Sequence, residues 1–372
     1  MQQGKLQQID QDLINLLKER ISLLAESGIP PLEQQLSNCL PYLSEAGVPE
    51  SVWQNIITGC VAAVTTASLS ENQIQPRNVT VIGGGGMMGR FFTSWLRAAG
   101  HKVSILEYND WGNAEQLLSQ SELVLVCVPL KNTVAVIQKA AKYLAATTAL
   151  VDIASVKTPM VQAMLEQHSG PVLGLHPMFG PGVKSFLSQK VVVCPGRKDE
   201  AFQWFLNAIA NDGGKLITCT PEEHDRMMIA IQAIRHFSTF SLGVFLAEEE
   251  IDIARSLEFA SPIYRLESNI VSRLFAQDGS LYMDIILASE ERTRAIGRLA
   301  ETYTRLAKLV AQKDRSALMG EFATAQNAFK QECDRALEES NYIINSLSTL
   351  LAAREIKADC QNHSDLVELS IK

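Results

Sequence analysis

The stretch "LGLHPMFGP" (173–181) puts an ionisable ring, His176, at the end of an apolar run. Neutral imidazole titrates near working pH, so it can take the proton of an alcohol while a hydride leaves. The alternative is a hydrogen-bonded histidine of the core. Just upstream, "DIASVKTP" (152–159) supplies Ser155 and Lys157, either of which could orient the ring or a substrate. In "EEHDRMMIAIQAIRHF" (222–237), Gln232 and His236 are four apart and share a helix face that His224 begins. On an apolar helix such groups are either satisfied core residues or the wall of a pocket. Arg265 and Arg273, in "SPIYRLESNIVSRLFAQD" (261–278), could hold carboxylates in bidentate fashion, or form ion pairs with Glu267 or Asp278.

A second constellation is the glycine run of "VTVIGGGGMMGR" (79–90), which contains Gly84-x-Gly86-x-x-Gly89 with Met87 and Met88 inside it. Following a strand and opening a helix, such glycines permit a tight turn, close approach of a pyrophosphate and close helix packing. Phosphates then sit at a helix N-terminus, where amide groups and the dipole favour anions. The next apolar run, "KVSILE", ends in Glu107, 18 residues beyond Gly89. A carboxylate there accepts the ribose hydroxyls and repels a 2′-phosphate, which favours NAD over NADP. "VCVP" closes another run with Val128 and Pro129, on the edge where a dinucleotide binds.

These residues need a scaffold. Six short β-rich runs (79–83, 102–107, 123–129, 149–154, 171–176 and 190–195) alternate with helical text. That pattern predicts an α/β, Rossmann-type, doubly wound parallel domain over residues 77–220. Residues 1–72 read as a small all-α domain, with Leu13, Leu17, Ile21 and Leu24 on a 3.6-residue period and a polar linker, "SLSENQIQPRN", after it. Residues 221–358 read as an all-α domain whose apolar stretch 227–246 exceeds one bundle face, predicting a homodimer. A polar tail, 359–372, is expected to fray.

A formal charge of −8 argues against nucleic acid or anionic membrane as the main partner. Seven dispersed cysteines show no metal-ligand spacing, so no metal is expected and a reducing cytoplasm is. The N-terminus is too polar for a signal peptide, so none is expected, and no apolar run is expected to reach membrane-span length.

Together, "VTVIGGGGMMGRFF", "ILEYNDW", "DIASVK", "VLGLHPMFGP", "EEHDRMMIAIQAIRHF" and "SPIYRLESNIVSRLFAQD" resemble the prephenate dehydrogenases, in the bacterial form fused to chorismate mutase. The resemblance is strong from about residue 77 to 310. It implies NAD-dependent oxidative decarboxylation of prephenate to 4-hydroxyphenylpyruvate in tyrosine biosynthesis. It also implies that His176 bonds the 4-hydroxyl of prephenate, that Ser155 lies beside it, and that Arg273 holds the ring carboxylate. His224, Gln232, His236 and Arg265 would line or support the pocket.

The N-terminal segment departs from the family's mutase pattern. Residues 1–76 contain three cations, Lys5, Lys18 and Arg20, and Gln3 stands where a first-helix arginine is expected. The last helix of that segment reads "QNIITGCVAAVTTAS". A degenerate domain without mutase activity is expected. Competing readings are an arogenate dehydrogenase, a β-hydroxyacid dehydrogenase (disfavoured by the histidine of HPMFGP), and a silent NAD-binding sensor or assembly module.

Overall fold

The computed structural model describes residues 2–67, 75–180 and 182–369. The chain divides into two units, Met1–Gln232 with Met283–Ala288, and Ala233–Tyr282 with Ser289–Lys372. The sequence reading places the start of the last domain at 221, and the division into units falls after Gln232.

Unit 1 begins with four helices, α1 (Gln2–Ser27), α2 (Leu32–Ser37), α3 (Leu40–Ala46) and α4 (Glu50–Ala67). The predicted stripe of α1 is used over half its length. Leu24, Leu17 and Ile21 pack with Cys60 and Val64 of α4, whereas Leu13, Ile14 and Leu16 remain exposed. Most of the expected linker lies outside the described residues.

The α/β part follows as β1 (Asn78–Ile82), α5 (Met87–Ala98), β2 (Lys102–Leu106), α6 (Ala114–Leu118), β3 (Leu123–Val126), α7 (Thr133–Ala140), β4 (Ala149–Asp152), α8 (Thr158–Gln167), β5 (Val172–Pro177), β6 (Lys190–Arg197), α9 (Gln203–Asn211) and β7 (Lys215–Thr218). The strands form one seven-stranded sheet in the order β2-β1-β3-β4-β5-β6-β7. Side chains alternate between faces, as a period of two requires. Val79, Val81, Leu123 and Leu125 face Phe92, Phe186 and Phe205 on one side. Ile82, Val124, Val126 and Leu150 face Leu118, Ile137 and Met164 on the other. Burying a side chain of this size contributes roughly 1.5–3 kcal/mol.

Two features correct the expected six-stranded parallel sheet. β5 and β6 pair antiparallel, His176 opposite Val192, because the connection between them contains no helix to make a crossover. β7 is a seventh strand, parallel to β6. The chain leaves β1 for β2 on one side and reaches β3 on the other, so the sheet's topological switch lies at the carboxyl ends of β1 and β3, where α/β proteins bind ligands.

After β7 the chain is helical: α10 (Pro221–Met228), a π-turn (Ile229–Ile234), then α11 (Arg235–Glu248), α12 (Ile253–Glu258), α13 (Pro262–Phe275), α14 (Gly279–Ile286), α15 (Glu290–Ala311), α16 (Arg315–Phe329) and α17 (Cys333–Leu369). Oxygen-bearing N-caps start several of them: Thr220, Asp252, Ser261, Ser289 and Asp314 each accept the amide three residues on. The expected fraying tail is instead helical to Leu369, since no glycine or proline interrupts 333–369. The continuous helix Pro221–Glu248 is also long and apolar enough, by length and composition, to cross a bilayer. This corrects the expectation from the letters, where His224, Gln232, Arg235 and His236 break the apolar run.

Candidate active site

The nucleotide loop lies at the switch point. Gly83 has φ +80, and a Cβ there would stand 2.5 Å from the Cys127 carbonyl at the end of β3. A Cβ on Gly89 would stand 2.1 Å from the Gly83 carbonyl. Both positions therefore require glycine, and Gly83 is one the x-spaced motif does not include. Gly84 packs on Ile105 of β2, and Gly86 is the N-cap of α5, which leaves the amides of Met87 and Met88 at an open helix start. Such a loop fits a dinucleotide pyrophosphate.

Glu107 stands just past β2 and accepts the Gly85 amide at 2.5 Å. The Gly85 carbonyl accepts Arg90 Nε at 2.6 Å, a brace that sequence reasoning missed. Val128 packs near Gly83, and Pro129 is exposed beside it.

His176 is the penultimate residue of β5, 5% exposed, at the same edge of the sheet. Its Nδ1 lies 2.7 Å from His224 Nε2, and its Nε2 lies 3.2 Å from Gln232 Nε2. His224 is 1% exposed, and its Nδ1 lies 2.8 Å from Asp225 Oδ1. Asp225 also accepts the amides of Lys157 at 2.8 Å and Thr158 at 2.9 Å, which ties the start of α10 to the start of α8. Burial alone would raise the Asp225 carboxyl, but hydrogen bonds from His224, Lys157 and Thr158 outweigh it and hold the group at about 2. Asp225 therefore stays a carboxylate at neutral pH.

Lys157 faces inward. It is 0% exposed, and its Nζ donates to Asp152 Oδ2 at 2.5 Å and to the Leu175 carbonyl at 2.8 Å. Burial pushes the Asp152 carboxyl up, and the Lys157 charge and hydrogen bond oppose that shift. Lys157 is thus bonded to the residue preceding His176 rather than presented to a ligand. Ser155 is half-buried in the loop between β4 and α8. Pro181 of the HPMFGP motif lies outside the described residues.

Unit 2 carries the remaining predicted residues. Arg265 donates to the Leu257 carbonyl at 3.1 Å, and Arg273 lies exposed on α13. His236 packs edge-on against Tyr282 with ring centroids 5.0 Å apart, and Arg235 Nη1 is 3.4 Å from its Nδ1. Burial, with the charges of Arg235 and Arg292, depresses His236 to about 4. Burial raises the Tyr282 hydroxyl, against the fields of Arg235 and Arg273. This cationic neighbourhood suits an anionic ligand, and Arg235, Arg292 and Tyr282 were not singled out in the sequence. Among the described residues no cluster of three or more His, Cys, Asp or Glu could hold a metal.

Comparison with known proteins adds a family to this geometry. Residues 98–218 match the model of the prephenate dehydrogenase nucleotide-binding domain, and residues 220–324 that of the prephenate dehydrogenase dimerization domain. The chain is 38% identical over 361 residues to the T-protein of Enterobacter agglomerans, covering 92% of this chain and 96% of that one. It is 33% identical to the T-protein of Haemophilus influenzae, over 93% of this chain and 96% of that one. Among solved structures, prephenate dehydrogenase from Aquifex aeolicus in complex with hydroxyphenyl propionate and NAD+ shares the fold. Its TM-score is 0.56 at 19% identity, covering 70% of this chain and 99% of that one. With a glycine loop at the switch point, a buried histidine at the same sheet edge and both domain models matched in order, the chain belongs to the prephenate dehydrogenase family.

Proposed function

We propose that the chain oxidises prephenate with NAD+ to 4-hydroxyphenylpyruvate and carbon dioxide, with His176 as the base. The observation that carries this reading is the position of His176. It stands at the carboxyl end of β5, shielded from water, with both ring nitrogens in hydrogen-bonding range of named partners. Gly84, Gly86, Gly89 and the amides of Met87 and Met88 hold the pyrophosphate, and Glu107 holds the adenosine ribose. Val128 and Pro129 form part of the floor. Bound NAD+ supplies the hydride acceptor.

His176 accepts the proton of the C4 hydroxyl as C4 gives up its hydride. The ring carboxylate leaves as carbon dioxide, and the electron pair of the broken C–C bond completes the aromatic ring. Aromatisation drives the step, so the protein's task is positioning and charge matching. Ser155 orients the reacting groups, Arg273 binds the ring carboxylate, and Gln232, His236 and Arg265 support substrate binding. Lys157 acts through the backbone of β5.

The dimer forms through the helices from Pro221 onward, which the family model calls a dimerization domain. The apolar helix Pro221–Glu248 is little buried within its own chain, which supports a protein partner for it. The six cysteines whose side chains are described are free thiols, which supports a reducing cytoplasm. An assay of NAD+ or NADP+ against prephenate or arogenate tests the whole reading. Turnover with NAD+ and prephenate is expected. Turnover confined to arogenate would transfer the reading to the amino-acid analogue, and no turnover with either would leave an NAD-binding module.

A further inference from the structure

Three side chains of unit 1 form a row: Asp225, His224 and His176, with contacts of 2.8 and 2.7 Å. The two imidazoles meet nearly edge-to-face, 5.0 Å between centroids at 66°. The direction of every hydrogen in this row follows from its anchored end. A carboxylate only accepts, so His224 Nδ1 carries the hydrogen. A neutral imidazole has one donor and one acceptor, so His224 Nε2 presents its lone pair. His176 Nδ1 must then be the donor, and the His176 lone pair lies at Nε2. Gln232, whose NH2 group is turned toward that nitrogen at 3.2 Å, agrees with this assignment.

Resting on the reading of His176 as the base, we propose that His224 and Asp225 are positioning residues that select the Nδ1–H tautomer of His176. Nε2 is thereby the atom that takes the substrate's hydroxyl proton. When it does, the O–H bond breaks, an N–H bond forms at Nε2, and His176 becomes an imidazolium that still donates through Nδ1 to His224. Asp225 remains ionised throughout. His224 accordingly touches His176 instead of substrate, which is the supporting one of the roles that the sequence leaves open.

The row also ties down the start of α8. Lys157 and Thr158 give their amides to the same carboxylate that orients His224, so the chain leading from the buried Lys157–Asp152 pair anchors the relay. A second acceptor in place of Asp225, lacking charge but able to donate, would reverse the row. In Asp225→Asn the amide NH2 can donate to His224 Nδ1, which makes His224 Nε2 a donor and forces the His176 hydrogen onto Nε2. The general base is then blocked. A comparable Asp-to-Asn change in the serine-protease triad acts through the wrong tautomer and costs about 10⁴ in kcat.

The test is 15N NMR of the histidine rings in the whole protein, paired with kinetics. Wild-type His176 is expected as the Nδ1–H tautomer, and Asp225→Asn as Nε2–H. Turnover in that variant is expected to fall by about 10²–10⁴ with NAD+ affinity unchanged. His224→Gln, which keeps an acceptor opposite His176, retains the Nδ1–H signal, whereas His224→Leu loses the preference. Wild-type His176 in the Nε2–H form overturns the proposal even if every variant fails to fold. Because the tautomer is read without substrate, failure of the row is distinguishable from failure of the prephenate assignment.

Discussion

The Gly85 amide donates to Glu107 Oε1 at 2.5 Å, so the residue proposed to select the cofactor is fastened to the loop proposed to bind it. A Cβ on Gly85 would stand 3.0 Å from that oxygen. The motif's spacing leaves residue 85 free, yet the carboxylate does not. Gly85→Ala should keep the fold, because the end of a glutamate side chain can move, but shift Glu107 off its ribose-binding position. Hydrogen bonds to charged groups contribute about 1.5–3 kcal/mol, so NAD+ affinity should fall roughly tenfold or more and the preference over NADP+ should narrow. Steady-state kinetics with both cofactors check this; an unchanged preference refutes the coupling.

The Lys157–Asp152 pair is fully buried and should matter for stability more than for ligand binding. Lys157→Met leaves the Asp152 carboxyl without its partner and should cost roughly 3–5 kcal/mol in urea unfolding. The double replacement Asp152→Leu with Lys157→Met should cost less than the single one, since no uncompensated charge remains. A lysine variant of wild-type stability with weakened prephenate binding would instead return Lys157 to the substrate.

His236 should make the protein acid-sensitive over a defined window. Unfolded, its ring takes a proton near pH 6.5; folded, burial and the charges of Arg235 and Arg292 delay this to about 4. Its contribution to stability is full above about 6.5, falls as the pH drops toward 4, and then levels off. In His236→Gln the stability curve should be flatter across that window. Parallel curves for the two proteins would contradict the assignment.

The N-terminal helices should not rearrange chorismate. Arg20, one of the three cations of this segment, donates through Nη2 to Gln35 at 2.5 Å and lies over the Trp53 ring at 5.8 Å. Lys5 and Lys18 are exposed. A compact dianion needs several cations aimed at its oxygens, and this set does not provide them. Chorismate loss without nicotinamide cofactor should match the uncatalysed rate. A faster loss, abolished by Arg20→Ala, would show an active mutase.

Much of this architecture is legible in the letters because burial imposes a period. β1 to β6 alternate apolar side chains between two covered faces, and His176, Glu107 and the glycine loop end those strands. β7 escaped because "KLIT" is four residues at the sheet's edge, mostly exposed, with no alternation to detect. The reversal of β6 is a property of the connection rather than of the strand. Asp225 escaped for a different reason. It is one acid in a charged helix start, and its role exists only once the fold brings His224 to His176 across 48 residues of sequence. Lys157 was visible as chemistry, but its inward direction, toward Asp152 and the Leu175 carbonyl, is set by packing.

The central claim is that His176 is the base for hydride transfer, and His176→Asn tests it most directly. Asparagine keeps a hydrogen-bonding group beside the reacting hydroxyl but cannot take its proton at neutral pH. General-base contributions are on the order of 10²–10⁴ in rate, and kcat with prephenate and NAD+ should fall by that much. The dissociation constant for NAD+, measured by fluorescence titration, should stay at its wild-type value. A variant that turns over prephenate at close to the wild-type rate would contradict the account and make His176 a structural histidine of the sheet edge.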